Sequence, residues 1–369
     1  MAKKAATKTT KYDNDPVAKA LVGKYGNIIV PGNELLDRLE GFKTISVSPA
    51  LDIGLGGGIR EGSQVMMTGD AKAGKTTTCM HFAAKCQAAG KKVVYVETEG
   101  RTTKQNFEGI KGLDVDKIVF ISPNDEEEKI SAETYLNSME YLIKNEDNLV
   151  LIVDSLSNMV PEEEMNGEIK TGIRAALPRL LSMYFKRISN IVALRRAICV
   201  YITHNITDTG PSRRTRTSDC GVMLKYAVST NISIAFTKAW NANGDDGEQI
   251  GQSVHWTIIT SAAGGTPGTM VESWLRYGEG IDEVMELFQM ANEFALIKKG
   301  GSWYTLTAAI NNADKPEIQT LLKENAVDPE DTAAVEKFFK FQGAAKTTKF
   351  LKDNPVVNDV LYNELREIL

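Results

Sequence analysis

The sequence predicts an α/β fold with a mainly parallel sheet, and two observations carry that prediction. The first is the stretch from Gly69 to Thr76, which fits the pattern G-x-x-x-x-G-K-[ST] and lies between a strand pattern and a helix pattern. The second is an alternation of helices with strands that are apolar along their whole length. Such strands are buried on both faces, which is typical of a parallel sheet covered by helices.

The residues before the sheet predict a short helix-strand arm. Residues 1–12 are rich in Lys, Thr and Ala and have no apolar core. Asp15 and Pro16 suit the cap and the first turn of a helix that ends near Leu21. Residues 26–31 then suit a short strand between breakers. On the residues alone, this strand fits the edge of another subunit's sheet and an internal sheet edge equally well.

The alternating part of the chain predicts five strands and four helices. Gly90 is expected to cap the helix that follows the glycine-rich stretch, and Pro178 is acceptable in a helix only because it falls in the first turn. The predicted strands are 64–68, 93–96, 118–121, 149–154 and 198–203, and the predicted helices are 76–89, 103–109, 127–145 and 175–194.

After His204 the pattern changes. Residues 205–221 are polar and long for a plain connection, which favours a functional loop. Three strand patterns joined by glycine-rich turns follow and predict antiparallel pairing, and a mostly helical, charged segment with a small hairpin at 300–306 comes last. The antiparallel strands are 231–238, 254–260 and 270–277; the predicted domains are an arm at 1–44, a core at 45–280 and a small α+β C-terminal domain at 281–369.

Composition narrows the function classes. The net charge of −5 argues against a protein that is basic all over and binds nucleic acid non-specifically, although a local basic patch remains compatible with it. No apolar run of about 18 residues exists, so a membrane span is not expected. The four cysteines form no C-x-x-C pair and the first residues do not resemble a secretory signal, which favours a reduced, cytoplasmic setting.

The glycine-rich stretch predicts a phosphate site. Its glycines let backbone N–H groups turn towards phosphate oxygens, and the following helix adds partial positive charge. Lys75 is expected to reach the β- and γ-phosphates, and the Thr76 hydroxyl to hold Mg²⁺. Asp154 ends an apolar strand and fits the acid that holds a water bound to the same Mg²⁺ ion. An apolar strand that ends in Asp is weak evidence alone, but it is stronger evidence in a chain that also has a P-loop.

Three further strand-end groups are candidates for the chemistry. Ligands of open parallel sheets bind at the carboxyl ends of the strands, where Glu97, Glu99 and His204 also fall. Either glutamate is able to polarise a water molecule for attack on the γ-phosphate. His204 is able to form a hydrogen bond with that phosphate. A solvated carboxylate and a structural histidine are the alternative interpretations for each of them taken alone.

Together these segments resemble the RecA family of recombinases, including the phage UvsX-type members. The resemblance runs from about residue 45 to 281 and resumes near the C-terminus. The stretches that carry it are the lead into the P-loop at 45–52, Val153-Asp154-Ser155, Tyr277-Gly278-Glu279-Gly280-Ile281 and residues 349–355. Residues 25–30 also resemble the strand by which one subunit of that family docks on the next.

The resemblance implies a set of site residues, with ATP and Mg²⁺ as ligands. The implied catalytic residues are Glu99, Lys75 and His204. The implied nucleotide contacts are Gly69, Asp70, Ala71, Lys72, Ala73, Gly74, Lys75, Thr76, Thr77, Asn106, Asp154 and Lys225, with Thr76 and Asp154 at the metal. The predicted DNA contacts are Ile173, Arg174, Arg179, Ser182, Lys186, Arg213, Arg214, Arg216 and Gly221; of these, Arg179, Ser182 and Lys186 align with family positions, and the three arginines at 213–216 are predicted from their local positive charge.

The resemblance also implies an ATP-dependent recombinase. Such a protein forms helical homo-oligomeric filaments on single-stranded DNA, pairs them with double-stranded DNA, and works with single-strand-binding and mediator proteins in the cytoplasm of a bacterial or bacteriophage-infected cell. The alternatives are a non-catalytic paralogue and a ring-forming RecA-like motor; a missing lysine pair favours the first, and the C-terminal match and the docking strand argue against the second. The sequence departs from the family at two places. Residues 256–261 lack the family's Lys-x-Lys pair, and Asn106, beside Phe107, replaces the aromatic that stacks on adenine.

Overall fold

The computed structural model describes residues 16–25, 30, 32–123, 129–165, 176–207, 216–218, 222–242 and 247–368. Contacts divide the chain into a unit at 1–43 and a unit at 44–369. The first unit contains helices α1, Pro16–Tyr25, and α2, Gly32–Glu40. The predicted helix that starts at Pro16 is confirmed, α2 was not predicted, and the predicted strand at 26–31 lies outside the described residues except for Val30, which is in no regular element.

The second unit alternates strands and helices as expected. Its described strands are β1 Thr44–Ile45, β2 Ile59–Arg60, β3 Gln64–Gly69, β4 Lys92–Glu97, β5 Val119–Ile121, β6 Leu149–Asp154, β7 Ile198–Thr207, β8 Arg216–Ser218, β9 Thr230–Asn241, β10 Gln249–Thr260, β11 Met270–Arg276, β12 Gly280–Ile281, β13 Lys298–Gly300, β14 Trp303–Thr305 and β15 Lys340–Gln342. Its described helices are α3 Pro49–Leu55, α4 Lys75–Ala88, α5 Gln105–Glu108, α6 Ala132–Asn145, α7 Glu162–Met165, α8 Leu177–Arg195, α9 Val222–Ala227, α10 Glu283–Glu293, α11 Thr307–Asn311, α12 Pro316–Glu324, α13 Thr332–Phe338, α14 Ala344–Asp353 and α15 Pro355–Ile368.

A large mixed sheet forms the centre of this unit. Its order is β12-β11-β10-β9-β3-β7-β6-β4-β5, with β8 paired to β7. Each adjacent pair is parallel along the run β9-β3-β7-β6-β4-β5, and each adjacent pair is antiparallel along the run β9-β10-β11-β12. The predicted α/β fold with a mainly parallel sheet and added antiparallel strands is confirmed. The predicted hairpin at 300–306 is also confirmed, as β13 and β14 of a small antiparallel sheet with β15.

Apolar side chains cover both faces of the large sheet. Successive residues of β3 point to opposite sides, so that Val65 and Met67 join the cluster packed by α4, whereas Met66 joins the cluster packed by α6 and α8. A third cluster is built from residues 288–361 and includes Leu351 of α14 and Leu361 of α15. The boundary proposed at 280/281 stays a prediction.

Several predicted boundaries shift for local reasons. Helix α6 begins at Ala132 and not at 127, because the Ser131 hydroxyl accepts the amide of Thr134 and caps it there. Strand β7 continues to Thr207 and does not end at 203, because residues 205–207 pair with β8. Gly90 lies one residue beyond the cap of α4, with a φ of +76° that favours glycine.

Candidate nucleotide-binding site

Four parallel strands end at one edge of the large sheet, and each brings a predicted site residue there. In the β3–β7 pairing Gly69 lies opposite His204, and in the β4–β6 pairing Glu97 lies opposite Asp154. Because β3, β7, β6 and β4 are consecutive in the sheet, the glycine-rich loop, the histidine and the acids face the same space. The sequence prediction that these strand ends meet is confirmed by the register.

The glycine-rich loop turns tightly into helix α4. Gly74 has a φ of +99°, so a residue with a Cβ would be strained there, and its Cβ would lie 2.2 Å from Cδ1 of Leu275 and force that side chain to shift. Lys75 is only 4% exposed, and its Nζ donates to the carbonyl oxygens of Gly69 and Asp70 at 2.8 Å each. Burial lowers the pKa of Lys75, whereas the charges of Asp154 and Glu99 oppose that shift.

A second group of contacts joins the loop to β6. The Thr76 hydroxyl donates to Oδ2 of Asp154 at 2.6 Å, and the Tyr95 hydroxyl donates to the same oxygen at 2.8 Å. Burial raises the pKa of Asp154, and these two hydrogen bonds act against the increase. A hydroxyl and a carboxylate oxygen held together beside a phosphate loop are ligands that Mg²⁺ prefers, so the donor set fits a nucleotide-bound Mg²⁺ ion.

Glu99 is held by two side chains from neighbouring strands. Its Oε1 accepts the Ser155 hydroxyl at 2.8 Å and lies 2.7 Å from Nε2 of His204. Burial would raise the pKa of Glu99, but the hydrogen bonds from His204 and Ser155 and the nearby charge of Arg101 outweigh burial and lower it. The carboxylate therefore stays ionised and keeps its acceptor oxygens, which suits a group that orients water.

Glu97 has a different position from Glu99. Its Oε1 accepts the backbone amides of Glu99 at 3.0 Å and of Gly100 at 2.7 Å, and so it organises the turn after β4. On the residues alone the choice between the two glutamates is open, and the family resemblance implies Glu99. Both carboxylates line the same cavity, and Glu99 is the one that contacts His204.

These groups line one cavity of about 500 Å³, which we call the nucleotide cavity. Its lining includes residues 71–77, Glu99, Asp154, His204 and Asn106, all of which the sequence singled out. Sequence reasoning missed several other lining residues, although it had quoted part of one stretch as a family match. The missed residues are Arg101, Thr102, Thr103, Ile110, Gln252 and residues 275–280.

One end of the nucleotide cavity is formed by α5 and the turn 277–280. Asn106 lines the cavity, and its Oδ1 accepts the amide of Thr103 at 2.7 Å. Phe107 does not line it; the ring is 6% exposed and packs edge-on against Tyr95, 5.9 Å between centroids. Gly109 packs against the backbone of the turn so closely that a Cβ there would lie 1.3 Å from the carbonyl oxygen of Gly278.

The predicted DNA contacts are described only in part. Arg179, Ser182 and Lys186 lie on helix α8 at spacings that place them on one face, and Arg179 and Lys186 are exposed while Ser182 is half-buried. Arg216 begins β8. Lys225 is exposed on α9 and does not line the nucleotide cavity of its own chain. Ile173, Arg174, Arg213, Arg214 and Gly221 lie outside the described residues.

Comparison with known proteins adds the family. The model of the RecA N-terminal domain family matches residues 18–282, which is well over half of the chain of 369 residues. The chain belongs to the RecA family. RecA-family membership supports a RecA-like recombinase, implies a P-loop ATPase, and supports roles in DNA recombination and repair with binding of ATP, Mg²⁺ and DNA.

Individual relatives are distant but are covered over most of their length. The chain is 26% identical to the protein RecA of Chlorobium chlorochromatii, over 76% of this chain and 77% of the relative. It is 25% identical to the protein RecA of Bacteroides thetaiotaomicron, over 81% of this chain and 88% of the relative. It is 27% identical to the protein RecA of Chlorobaculum parvum, over 77% and 79%. Separately, among the described helices none is both long and apolar enough to cross a membrane.

Proposed function

We propose that the protein is an ATP-dependent DNA recombinase that forms helical filaments on single-stranded DNA and catalyses homologous pairing and strand exchange. One observation carries the proposal: a phosphate loop, an oxygen pair suited to Mg²⁺ and the contact between Glu99 and His204 all face the nucleotide cavity of a RecA-family chain. The setting we propose is the cytoplasm of a bacterial or phage-infected bacterial cell.

In this proposal, phosphate binding, metal binding and activation of water are assigned to different described side chains. The loop amides and Lys75 bind the phosphates, and for Lys75 this means exchanging two carbonyl oxygens for phosphate oxygens. Thr76 and Asp154 hold Mg²⁺, which when bound neutralises charge on the phosphates. Glu99, ionised, orients a water for attack on the γ-phosphate and accepts its proton.

His204 connects this chemistry to the DNA side. Its Nε2 contacts Glu99, and its strand continues beyond it to Thr207, where β7 pairs with β8 at the predicted DNA loop. A change at the γ-phosphate that moves Glu99 or His204 is therefore transmitted along β7. This linkage supports the proposal that ATP orders the DNA loops and that hydrolysis releases them.

Electron microscopy with ATP and single-stranded DNA tests the proposal. We expect helical filaments, and strand exchange between homologous DNA molecules that requires ATP. Lys75→Ala is the matched negative variant, because it removes the charge that faces the phosphates while it leaves the exposed DNA-facing side chains intact. A ring in place of a filament would favour a RecA-like motor, and small complexes without exchange would favour a non-catalytic paralogue.

The DNA surface of α8 has its own test. Neutralising Arg179 and Lys186 together should weaken binding to single-stranded DNA and reduce the slope of log affinity against log salt by about 1.4, since each phosphate contact to a single strand contributes about 0.7. Lys323→Ala is a suitable control, because Lys323 is an exposed lysine on α12 that no prediction places at DNA. An unchanged slope would mean that this face of α8 is only solvated.

The second candidate, a non-catalytic paralogue, is favoured by one observation. The family's Lys-x-Lys pair has no counterpart in residues 256–261, and Ile258 within that stretch is fully buried, so its position does not face a neighbour. A lysine restored there would enter the core, whereas Thr260 is exposed. Lys225 and Lys238 are the nearby lysines that we propose replace the missing pair if the protein is catalytic, so Lys225→Ala or Lys238→Ala should then lower turnover. DNA-stimulated turnover of wild type, of these two variants and of Thr260→Lys tests the candidate. No turnover in wild type, with turnover gained in Thr260→Lys, would support it.

A further inference from the structure

Asp282 lies between the nucleotide cavity and the C-terminal segment of the chain. Its side chain is 7% exposed. Its Oδ2 accepts hydrogen bonds from two cationic groups, Nζ of Lys352 at 3.0 Å and Nη2 of Arg276 at 3.5 Å. Its Oδ1 accepts the amide of Met285 at 3.1 Å and so caps helix α10. A nearly buried carboxylate depends on the cations that pair with it, because few water molecules reach it.

Arg276 attaches this carboxylate to the wall of the nucleotide cavity. It lines the cavity and directly precedes the turn 277–280, every residue of which lines the cavity as well. Its guanidinium lies 4.6 Å from the centre of the Trp240 ring, and its Nε lies 3.7 Å from Oε2 of Glu279 within the turn. Arg276 therefore holds both sides of the turn, through Glu279 on one and Asp282 on the other.

Lys352 attaches the same carboxylate to helix α14. The preceding residue, Leu351, is fully buried in the third apolar cluster, so the position of Lys352 follows that of the cluster. Next to Asp282, Glu283 contacts His81 at 2.8 Å and Lys85 at 2.5 Å on the P-loop helix α4. The start of α10 is thus fixed at once to the phosphate helix, to the turn 277–280 and to α14.

We propose that Asp282 couples the C-terminal segment to nucleotide affinity. Lys352 restrains the Asp282 carboxylate from the side of α14, so a shift of α14 that withdraws Lys352 leaves Asp282, and with it Arg276 and the turn 277–280, less restrained. ATP then binds more weakly, and by reciprocity bound ATP strengthens the contact of Lys352 with Asp282. Asp282, Arg276 and Lys352 are positioning residues. The inference rests on the nucleotide binding proposed above and adds a means of regulating it.

Isothermal titration of the full chain with ATP and Mg²⁺ tests the coupling. Lys352→Gln should weaken ATP binding about threefold, as expected for a partly exposed ion pair. Asp282→Asn keeps a capping oxygen but loses the charge, and should weaken binding about tenfold. The double variant should bind like Asp282→Asn alone, because both changes remove one interaction. Lys349→Gln, an exposed lysine of the same helix, is the matched control and should bind like wild type.

Hydrogen exchange provides a readout that a purely structural role would not change. ATP should slow amide exchange in α14 of wild type and of Lys349→Gln, but not of Lys352→Gln. Equal ATP affinity in wild type and Lys352→Gln, or additive effects in the double variant, would overturn the coupling and leave the proposed function standing. No ATP binding by wild type would overturn both. If Asp282→Asn does not fold, the comparison of Lys352→Gln with Lys349→Gln decides the question alone.

Discussion

The two ends of the nucleotide cavity are built in different ways. The phosphate end consists of one continuous loop and three neighbouring strand ends, held by short hydrogen bonds such as Thr76 to Asp154 at 2.6 Å. The other end, near Asn106 and the turn 277–280, joins segments that are far apart in the chain. They meet by backbone packing of Gly109 on Gly278, and the ion pairs of Arg276 with Glu279 and Asp282 hold the turn in place.

We expect this difference to separate residues that act on the phosphates from residues that set the shape of the cavity. Side chains at the phosphate end are placed by local backbone geometry and, in the function we propose, act on the reacting atoms, so their loss should mainly reduce turnover or remove phosphate binding. Side chains at the far end fix the shape of the cavity, so changes there should mainly alter how tightly the nucleotide binds. Glu99→Gln and Lys75→Ala at the phosphate end, and Gly109→Ala at the far end, test this expectation.

Glu99→Gln should have the largest effect. It keeps the shape of the side chain but cannot accept a proton, so the rate of ATP hydrolysis should fall by about 10³-fold while ATP binding is retained. Phosphate release under DNA-saturating conditions and ATP titration measure the two quantities. If Glu97→Gln abolishes hydrolysis and Glu99→Gln does not, the assignment of the two carboxylates is reversed.

Lys75→Ala should come next, with ATP affinity reduced by about a hundredfold or more, because a buried cation facing the phosphates is lost. The side chain is 4% exposed and held by two carbonyl oxygens, so truncation also leaves those oxygens without their donor. Equilibrium titration with ATP measures the loss, and Lys323→Ala is the control. Unchanged affinity would contradict the P-loop assignment.

At the far end, Gly109→Ala should weaken ATP binding about tenfold, the equivalent of roughly 1.4 kcal/mol, because the new Cβ displaces the turn 277–280. The added atom would lie 1.3 Å from the carbonyl oxygen of Gly278, so the turn has to move. Gly300→Ala is the matched control, since a Cβ there meets no atom within 4 Å. A fall in maximal turnover with unchanged ATP affinity would break the contrast between the two ends.

The smallest effect on nucleotide binding and turnover is expected from Glu286 on α10, because its ionisation acts on the stability of the fold. Burial raises the pKa of Glu286 to about 8, against hydrogen bonds from Ala50 and Ser48 that lower it. A carboxyl with a raised pKa stabilises the fold below its unfolded pKa, near 4.5, and this contribution is lost as the pH rises through about 8.

Wild type should therefore lose more free energy of unfolding between about pH 5 and about pH 8 than Glu286→Gln does. Urea denaturation at the two pH values measures the difference. Glu317→Gln changes an exposed glutamate of α12 and should follow wild type. A Glu286→Gln variant with the same pH dependence as wild type would show that the ionisation of Glu286 is not linked to folding.

The sequence was sufficient where the determinants are local. The strand, glycine loop and helix around Lys75 follow one another in the chain, and the apolar run of β6 ends at Asp154 in the structure as in the prediction. The parallel arrangement of the strands was also predictable from the sequence, because fully apolar strands have to be covered on both faces. These features depend on neighbouring residues and on burial alone.

The sequence was insufficient where distant segments decide. The extension of β7 to Thr207 depends on pairing with β8, which a strand pattern does not reveal. The contact of His204 with Glu99 joins residues 105 positions apart, and no strand pattern reveals it. The contact of Asp282 with Lys352 joins residues 70 positions apart, and no periodicity or motif indicates it.

The packing of Gly109 on Gly278 also determines where the cavity can be redesigned. That wall is backbone on backbone and has no side chain to trim, whereas Ile110 beside it lines the cavity with a side chain that is 6% exposed. Shortening Ile110 to alanine would open space for an ATP analogue with a bulky substituent on its base. An ATP analogue with such a substituent that binds this variant but not wild type would show that the base lies against this wall.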